Sequence, residues 1–510
     1  MRIKVNSSFG IAGCFAVVVF ILSCSSLKPN AAVNSAERPP NVIYIYADDL
    51  GYGELGSYGQ QKIKTPHLDR MAREGMRFTQ HYSGSPVCAP ARAMLMTGMH
   101  AGHSYIRGNH ELGGFADSAE RGQQPLNKES FTVADLFKRA GYSTALVGKW
   151  GMGMTSSEGS PLKHGFDYFY GYLDQKQAHN HYPTHLWENE KWDTLRQEFI
   201  DVHKGIDSAG AGDADFNRYK GVDYAPAKQT EKAMAFISRS REKPFFLYLA
   251  YTLPHLSLQV PDEWVAKYQG TFDEKPYYGQ NGYTPHRYPK SAYAAMISYL
   301  DTQVGVIMQQ VKDLGLEENT IIMFSSDNGA TFSKGVDTDF FNSSGGLRGL
   351  KMDLYEGGIR VPFIARWPGR IAAGSGSDLI SAQYDFLATM ADLTRQETPP
   401  TDGHSFLPEL VGRPAQQKQH EYLYFEYPEK NGQLAIRMGE WKGVKTNLKK
   451  NPGAPWQIFN LKTDRNETMD VASRHPQLIR TFDKIVKQEH SKPVIESWRF
   501  VDKVIQSSSR

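Results

Sequence analysis

Four short segments of this chain, residues 42–46, 143–147, 245–250 and 320–325, are apolar at almost every position rather than at alternate ones. Strict alternation marks a strand with one wet face. An unbroken apolar run of this length marks a strand covered on both faces, as in a parallel sheet. Helical patterns lie between the runs. Thr65-Pro66 opens one, with proline at the first helical position, and Gly75 closes it. Residues 132–140 form a second, ended by Gly141, and residues 301–314 a third, ended by Gly315. The alternation predicts an α/β fold, a large mixed and mostly parallel sheet flanked by helices.

After about residue 405 the texture changes. Residues 421–427, 433–438, 440–445 and 456–461 are short, half-alternating runs joined by turn residues, followed by a helical stretch at 475–488. They predict a small C-terminal α+β domain with an antiparallel sheet, residues 406–510, after a catalytic domain spanning 39–405. At the other end, Arg2 and Lys4 precede an apolar stretch, residues 11–22, too short to span a bilayer comfortably. Ile21-Leu22-Ser23-Cys24 resembles a bacterial lipobox. Residues 1–24 therefore read as a lipoprotein-type signal peptide with Cys24 as the lipidated residue, and 25–38 as a tether. The expected location is outside the cytoplasm, in the periplasm or cell envelope, held to the membrane only through that anchor.

Of the three cysteines, Cys14 and Cys24 fall in or at the end of the signal segment, so the body keeps only Cys88. It has no disulfide partner, and a lone thiol in an oxidising compartment calls for burial or modification. With 58 basic against 55 acidic residues the net charge is +3, which gives no electrostatic case for nucleic acid.

Each apolar run ends in residues able to do chemistry: Asp48-Asp49 after the first, Lys149 after the second, His255 after the third, Asp327-Asn328 after the fourth. Open α/β sheets bind ligands outside the carboxyl ends of their strands. One such residue reads as a strand-end cap. Four strand ends together predict a single crevice holding two acidic pairs, a lysine and a histidine. Asp48, Asp49, Asp327 and Asn328 offer hard oxygens suited to calcium, and no Cys/His cluster suggests zinc.

The most specific stretch is Cys88-Ala89-Pro90-Ala91-Arg92, leading to Thr97-Gly98. It resembles the formylglycine signature of type I sulfatases, in the alkaline-phosphatase-like superfamily. Asn41 to Gly53, Gly148-Lys149-Trp150, Pro254-His255, Ser326-Asp327-Asn328-Gly329 and Arg348-Gly349-Leu350-Lys351 are similar to that family's other motifs, in its order. The resemblance implies an exported hydrolase of sulfate esters. A maturation enzyme would oxidise Cys88 to formylglycine (3-oxoalanine), whose hydrate would be both nucleophile and calcium ligand beside Asp48, Asp49, Asp327 and Asn328. Arg92, Lys149 and Lys351 would face the sulfate, and His255 would protonate the leaving oxygen. One departure stands out. The family reads Gly-Lys-Trp-His-x-Gly where this chain has Gly148-Lys149-Trp150-Gly151-Met152-Gly153. Either His100 or His103 reaches in to replace the missing histidine, or both are surface loop residues.

Residues 164–193 are dense in aromatics, histidines and amides. Phe166 to Tyr172 suit core packing, whereas Gln175, His179 and His181 suit reading sugar hydroxyls. The expected substrate is a sulfated carbohydrate, with exo-acting removal of sulfate from galactose or N-acetylgalactosamine units. Two alternatives remain open at this point: a phosphonate or phosphate diester hydrolase of the same superfamily, and a catalytically inactive sugar-binding protein.

Overall fold

In the centre of the molecule the strand Asn41–Ala47 lies between two parallel neighbours, Thr320–Ser326 and Phe245–Ala250. This computed structural model describes residues 38–507, Ser333 excepted. The expected signal segment 1–24, its Cys24 and all of the tether but its last residue lie outside the described residues. Beyond Phe245–Ala250 come Ser143–Lys149 and Tyr168–Tyr172, also parallel, then the antiparallel His185–Glu188 and Lys191–Thr194. On the other side follow the antiparallel Phe363–Arg366 and then Met76–Phe78 and Ser375–Ser377. The sheet has ten strands, and the expected mixed, mostly parallel α/β architecture is present.

Both faces of the central strand are covered, which is why its sequence does not alternate. Ile43, Ile45 and Ala47 enter one core with the helices Pro66–Glu74, Ala225–Ser240 and Pro289–Asp313. Val42, Tyr44 and Tyr46 enter the other with Cys88–Thr97, Val133–Arg139 and Asp385–Thr394. Thr132 caps its helix reciprocally with Asp135. One helix is longer than its sequence suggests: it begins at Pro289, not at residue 301. Residues 291–301 are buried on every side, so they carry no amphipathic period.

The register fixes the site. Ala47 pairs with Ser326, Tyr46 with Ala250, and Ala250 in turn with Gly148. The carboxyl ends of four parallel strands therefore form one rim.

The C-terminal part is a four-stranded antiparallel sheet, Leu423–Tyr427, Gln433–Met438, Trp441–Lys445 and Gln457–Asn460. Leu478, Phe482, Ile485 and Val486 of the helix Pro476–Glu489 cover one face. On the other, Phe425, Ala435, Val444 and Phe459 pack with Tyr82, Val87, Met94, Leu354 and Ile359. From Pro39 onward the chain is one compact unit.

A buried ion network crosses this junction. Lys442, fully buried, lies 2.9 Å from Glu356 and 3.1 Å from Glu467. Removing one partner of such a group strands the others without water. Lys442→Met is expected to lower stability by ~3–5 kcal/mol, read as a lower urea midpoint at unchanged slope.

Candidate active site

Asp48 and Asp49 follow the central strand directly, and Asp327 and Asn328 follow its neighbour. Asp49 adopts a left-handed backbone (φ 65°). Its amide donates to Asp327 Oδ1 at 3.0 Å and its Oδ1 accepts from Asn328 Nδ2 at 2.8 Å. Cys88 is the first residue of its helix, whose first turn holds no acidic side chain, so the positive end of the helix dipole faces the site unopposed. Arg92 lies one turn on, on the same face. Its Nη2 is 2.7 Å from Asp327 Oδ2 and 3.5 Å from Asp48 Oδ2, and its Nη1 donates to the Lys149 carbonyl. Lys149 reaches Asp48 Oδ2 at 2.7 Å. Lys351 lies 2.9 Å from Asp49 Oδ2 and 3.6 Å from Cys88 Sγ. Seven of the positions expected at the centre, Asp48, Asp49, Cys88, Arg92, Lys149, Asp327 and Lys351, are thus joined by direct contacts, and Asn328 and His255 border them through Asp49.

The electrostatics follow from burial. Three carboxylates meet three cations, and all six side chains are buried. Burial raises Asp48, yet the charges of Lys149, Arg92 and Lys351 outweigh it and hold the carboxyl well below its usual range. Asp327 is pushed up to about 7, by burial and then by repulsion from Asp48. Burial would lower Lys351, but Asp49 keeps it firmly charged. Burial pushes the Cys88 thiol up to about 12 against the pull of Lys149 and Lys351. As a thiol it is a poor nucleophile at neutral pH.

Two oxygens in this cluster are orphaned. Asp48 Oδ1 and Asn328 Oδ1 are buried and have no hydrogen-bond partner, which is costly unless something fills the role. One ligand atom from each of Asp48, Asp49, Cys88 and His255 falls within 4.8 Å of the others. Hard oxygen donors beside two unsatisfied ones fit a calcium ion.

His255 borders the cluster with Nε2 3.6 Å from Asp49 Oδ2, while its Nδ1–H donates to the Leu256 carbonyl. Burial, followed by the charge of Lys351, lowers it to about 4 and leaves the ring neutral. His179 stacks on His255 at 4.8 Å with 13° between rings. It is half-buried, and its Nδ1 lies 3.1 Å from His203 Nε2.

Other expected contacts turn out differently. His181 is fully buried, with Nδ1 on the Thr252 hydroxyl and Nε2 on the His255 carbonyl. It braces the His255 segment from beneath, so no ring nitrogen is left for a sugar hydroxyl. Nor does His100 or His103 reach the centre. His100 pairs with Glu489 at 3.0 Å and His103 with Asp402 at 2.9 Å, both toward the C-terminal part. What fills the gap at Gly151 is Gln175, which is buried and donates from Nε2 to the Gly151 carbonyl at 3.4 Å. A Cβ on Gly151 would stand 2.7 Å from that Nε2, and φ there is +70°. No motif pointed to this, because Gln175 is distant in sequence and its neighbours read as a loop. Tyr283, which packs against His179 and His255, and His203, which packs against His179 and Tyr283, were also missed. Their only signals are one aromatic in a glycine-bearing turn and one loop histidine.

With this geometry in place, the comparisons decide the family. Residues 40–396 match the Sulfatase family and residues 350–492 match N-sulphoglucosamine sulphohydrolase, C-terminal. The chain belongs to the sulfatase family. An N-acetylgalactosamine-6-O-sulfatase of Bacteroides thetaiotaomicron is 29% identical, aligned over 88% of this chain and 93% of that protein. An N-acetylgalactosamine-6-sulfatase of Mus musculus is 30% identical over 89% and 80%, and a steryl-sulfatase of Rattus norvegicus 31% over 76% and 74%. The solved structure of Ps i-CgsB in complex with k-i-k-neocarrahexaose superposes with TM-score 0.72 at 26% identity, covering 92% of this chain and 100% of that one. The protein is a sulfatase of alkaline-phosphatase-like fold.

In this sulfatase the Gly151 site is closed to a side chain by Gln175. Gly151→His is therefore expected to lower activity rather than raise it. Gly151→His with Gln175→Ser is expected to recover part of the loss, since the pair share one volume. Steady-state kinetics and the thermal midpoints of the two variants check this.

Proposed function

We propose that this sulfatase removes sulfate from terminal units of sulfated carbohydrates, of galactose or N-acetylgalactosamine type, through formylglycine at position 88 and a calcium ion. The observation that carries this reading is the pair of orphaned oxygens, Asp48 Oδ1 and Asn328 Oδ1, beside Asp49, Asp327 and Cys88. The carbohydrate preference rests on the relatives named for N-acetylgalactosamine sulfate and on the complex with a neocarrahexaose.

Asp48, Asp49, Asp327 and Asn328 would hold calcium together with the oxidised side chain at 88. When bound, calcium supplies positive charge to the sulfate oxygens and favours ionisation of a nearby hydroxyl. This matters because the three carboxylates and three cations nearly cancel, so the cluster alone offers an anion little net attraction. The Cys88 sulfur stands in for the paired hydroxyls of the hydrated aldehyde, one to attack sulfur and one to expel sulfate when its proton leaves. Lys351, next to that sulfur, orients those hydroxyls. Arg92 and Lys149 are held by Asp327 and Asp48 and cannot swing away. His255 Nε2 serves the leaving oxygen. Gln175 and His179 line the approach and read the sugar.

The same reading has the chain exported and lipid-anchored at Cys24, with a host maturation enzyme oxidising Cys88. Among the described residues no helix is long and apolar enough to cross a membrane.

Mass spectrometry of the peptide containing residue 88, from the native host, is expected to give the aldehyde mass. Unmodified thiol in active protein would overturn the mechanism. Calcium at a hundred times its dissociation constant is expected to stabilise the protein by ~2.7 kcal/mol, seen as a higher thermal midpoint. Asp48→Asn should lose that shift. A midpoint indifferent to calcium in the parent protein would sink the metal assignment.

A further inference from the structure

Tyr283 is fixed at the edge of the site by several independent contacts. The loop that carries it is closed by paired backbone hydrogen bonds between Tyr277 and His286, each 2.9 Å. Tyr277 also bonds back inside the loop, from its hydroxyl to the Gly282 carbonyl. Tyr283 itself takes a left-handed backbone, φ 64°, which is unfavourable for a bulky residue and tends to persist where function demands it. Its ring lies 5.3 Å from His179, 5.0 Å from His203 and 6.0 Å from His255. Lys334 sits over the ring at 5.4 Å.

With this packing the residue is only 7% exposed. Its phenol hydroxyl lies within electrostatic reach of Lys351, Asp49 and Cys88, and burial pushes it up, so it keeps its proton. A neutral donor held beside this cluster by packing on three histidine rings is placed for a ligand atom. The stacked His179 and His255 rings form the wall next to it, and the exposed His203 marks the mouth.

We propose that Tyr283 is a specificity-determining residue, donating a hydrogen bond from its phenol to a hydroxyl of the sugar that bears the sulfate. The inference rests on the carbohydrate sulfatase reading above. An aryl sulfate has no hydroxyl to receive that bond, so the residue separates the two ester classes. A site that hydrogen-bonds a substrate hydroxyl loses discrimination when its own donor is removed.

The test is Tyr283→Phe in the full chain, with residue 88 verified as oxidised in both proteins. This change keeps the ring and its cage, and an unchanged thermal midpoint confirms that the fold is intact. On N-acetylgalactosamine 6-sulfate, kcat/KM is expected to fall about tenfold to a hundredfold. On 4-methylumbelliferyl sulfate it is expected to stay within about threefold. Equal loss on both esters, or no loss on the sugar, would overturn the role of Tyr283 while leaving the sulfatase reading intact. A parent protein that hydrolyses the aryl ester but no sugar sulfate would instead overturn the carbohydrate reading, and this proposal with it.

Discussion

Three carboxylates and three cations, Asp48, Asp49 and Asp327 against Arg92, Lys149 and Lys351, share a volume buried from solvent at the rim of the parallel sheet. Taking such charges out of water costs several kcal/mol per ion. The cost is met only because each group has a partner at hydrogen-bond distance, and that requires five chain segments to arrive in register. The parallel ladder supplies this: Ala47 opposite Ser326, and Tyr46 and Gly148 both opposite Ala250. A slip of one residue in any strand would turn the following side chain away from the crevice. Sheet register and active-site chemistry are therefore one constraint.

The small C-terminal sheet belongs to the same constraint. In the loop that carries Lys351, the Lys351 and Met352 amides donate to the Ala330 and Pro86 carbonyls, while the Gln433 side chain accepts from the Leu354 amide and donates to the Met352 carbonyl. Glu467 accepts from the Glu356 amide and its own carbonyl accepts from Arg348. Lys442 joins Glu356 and Glu467 beneath. A lysine on a bare loop would sweep a wide volume. Here its backbone is tied to both parts of the chain and its side chain is held on Asp49, so little is left to order.

Much of this was legible in the chain. Unbroken apolar runs gave the four central strands because burial on both faces removes the alternation, and Thr132 and Gly75 marked helix ends through local hydrogen bonding and backbone preference. The short outer strands, such as Phe363–Arg366 and His185–Glu188, carried no such signal, since strands of this length are defined by their neighbours. The first half of Pro289–Asp313 was invisible because full burial erases helical period. His181 illustrates the same limit at the site. Its residue type suited a sugar contact, but only packing could reveal that both ring nitrogens serve the Thr252 and His255 segments.

By itself the sequence determined the fold class, the family and which polar residues stand at the ends of the central strands, because those depend on residue types at strand ends and on local spacing after Cys88. The tertiary structure decided what fills the space around them: Gln175 over Gly151, His179 stacked on His255, and Tyr283 packed among His179, His203 and His255. These residues come from loops far apart in the chain. Their meaning lies in which atoms they are left facing, and only long-range packing sets that.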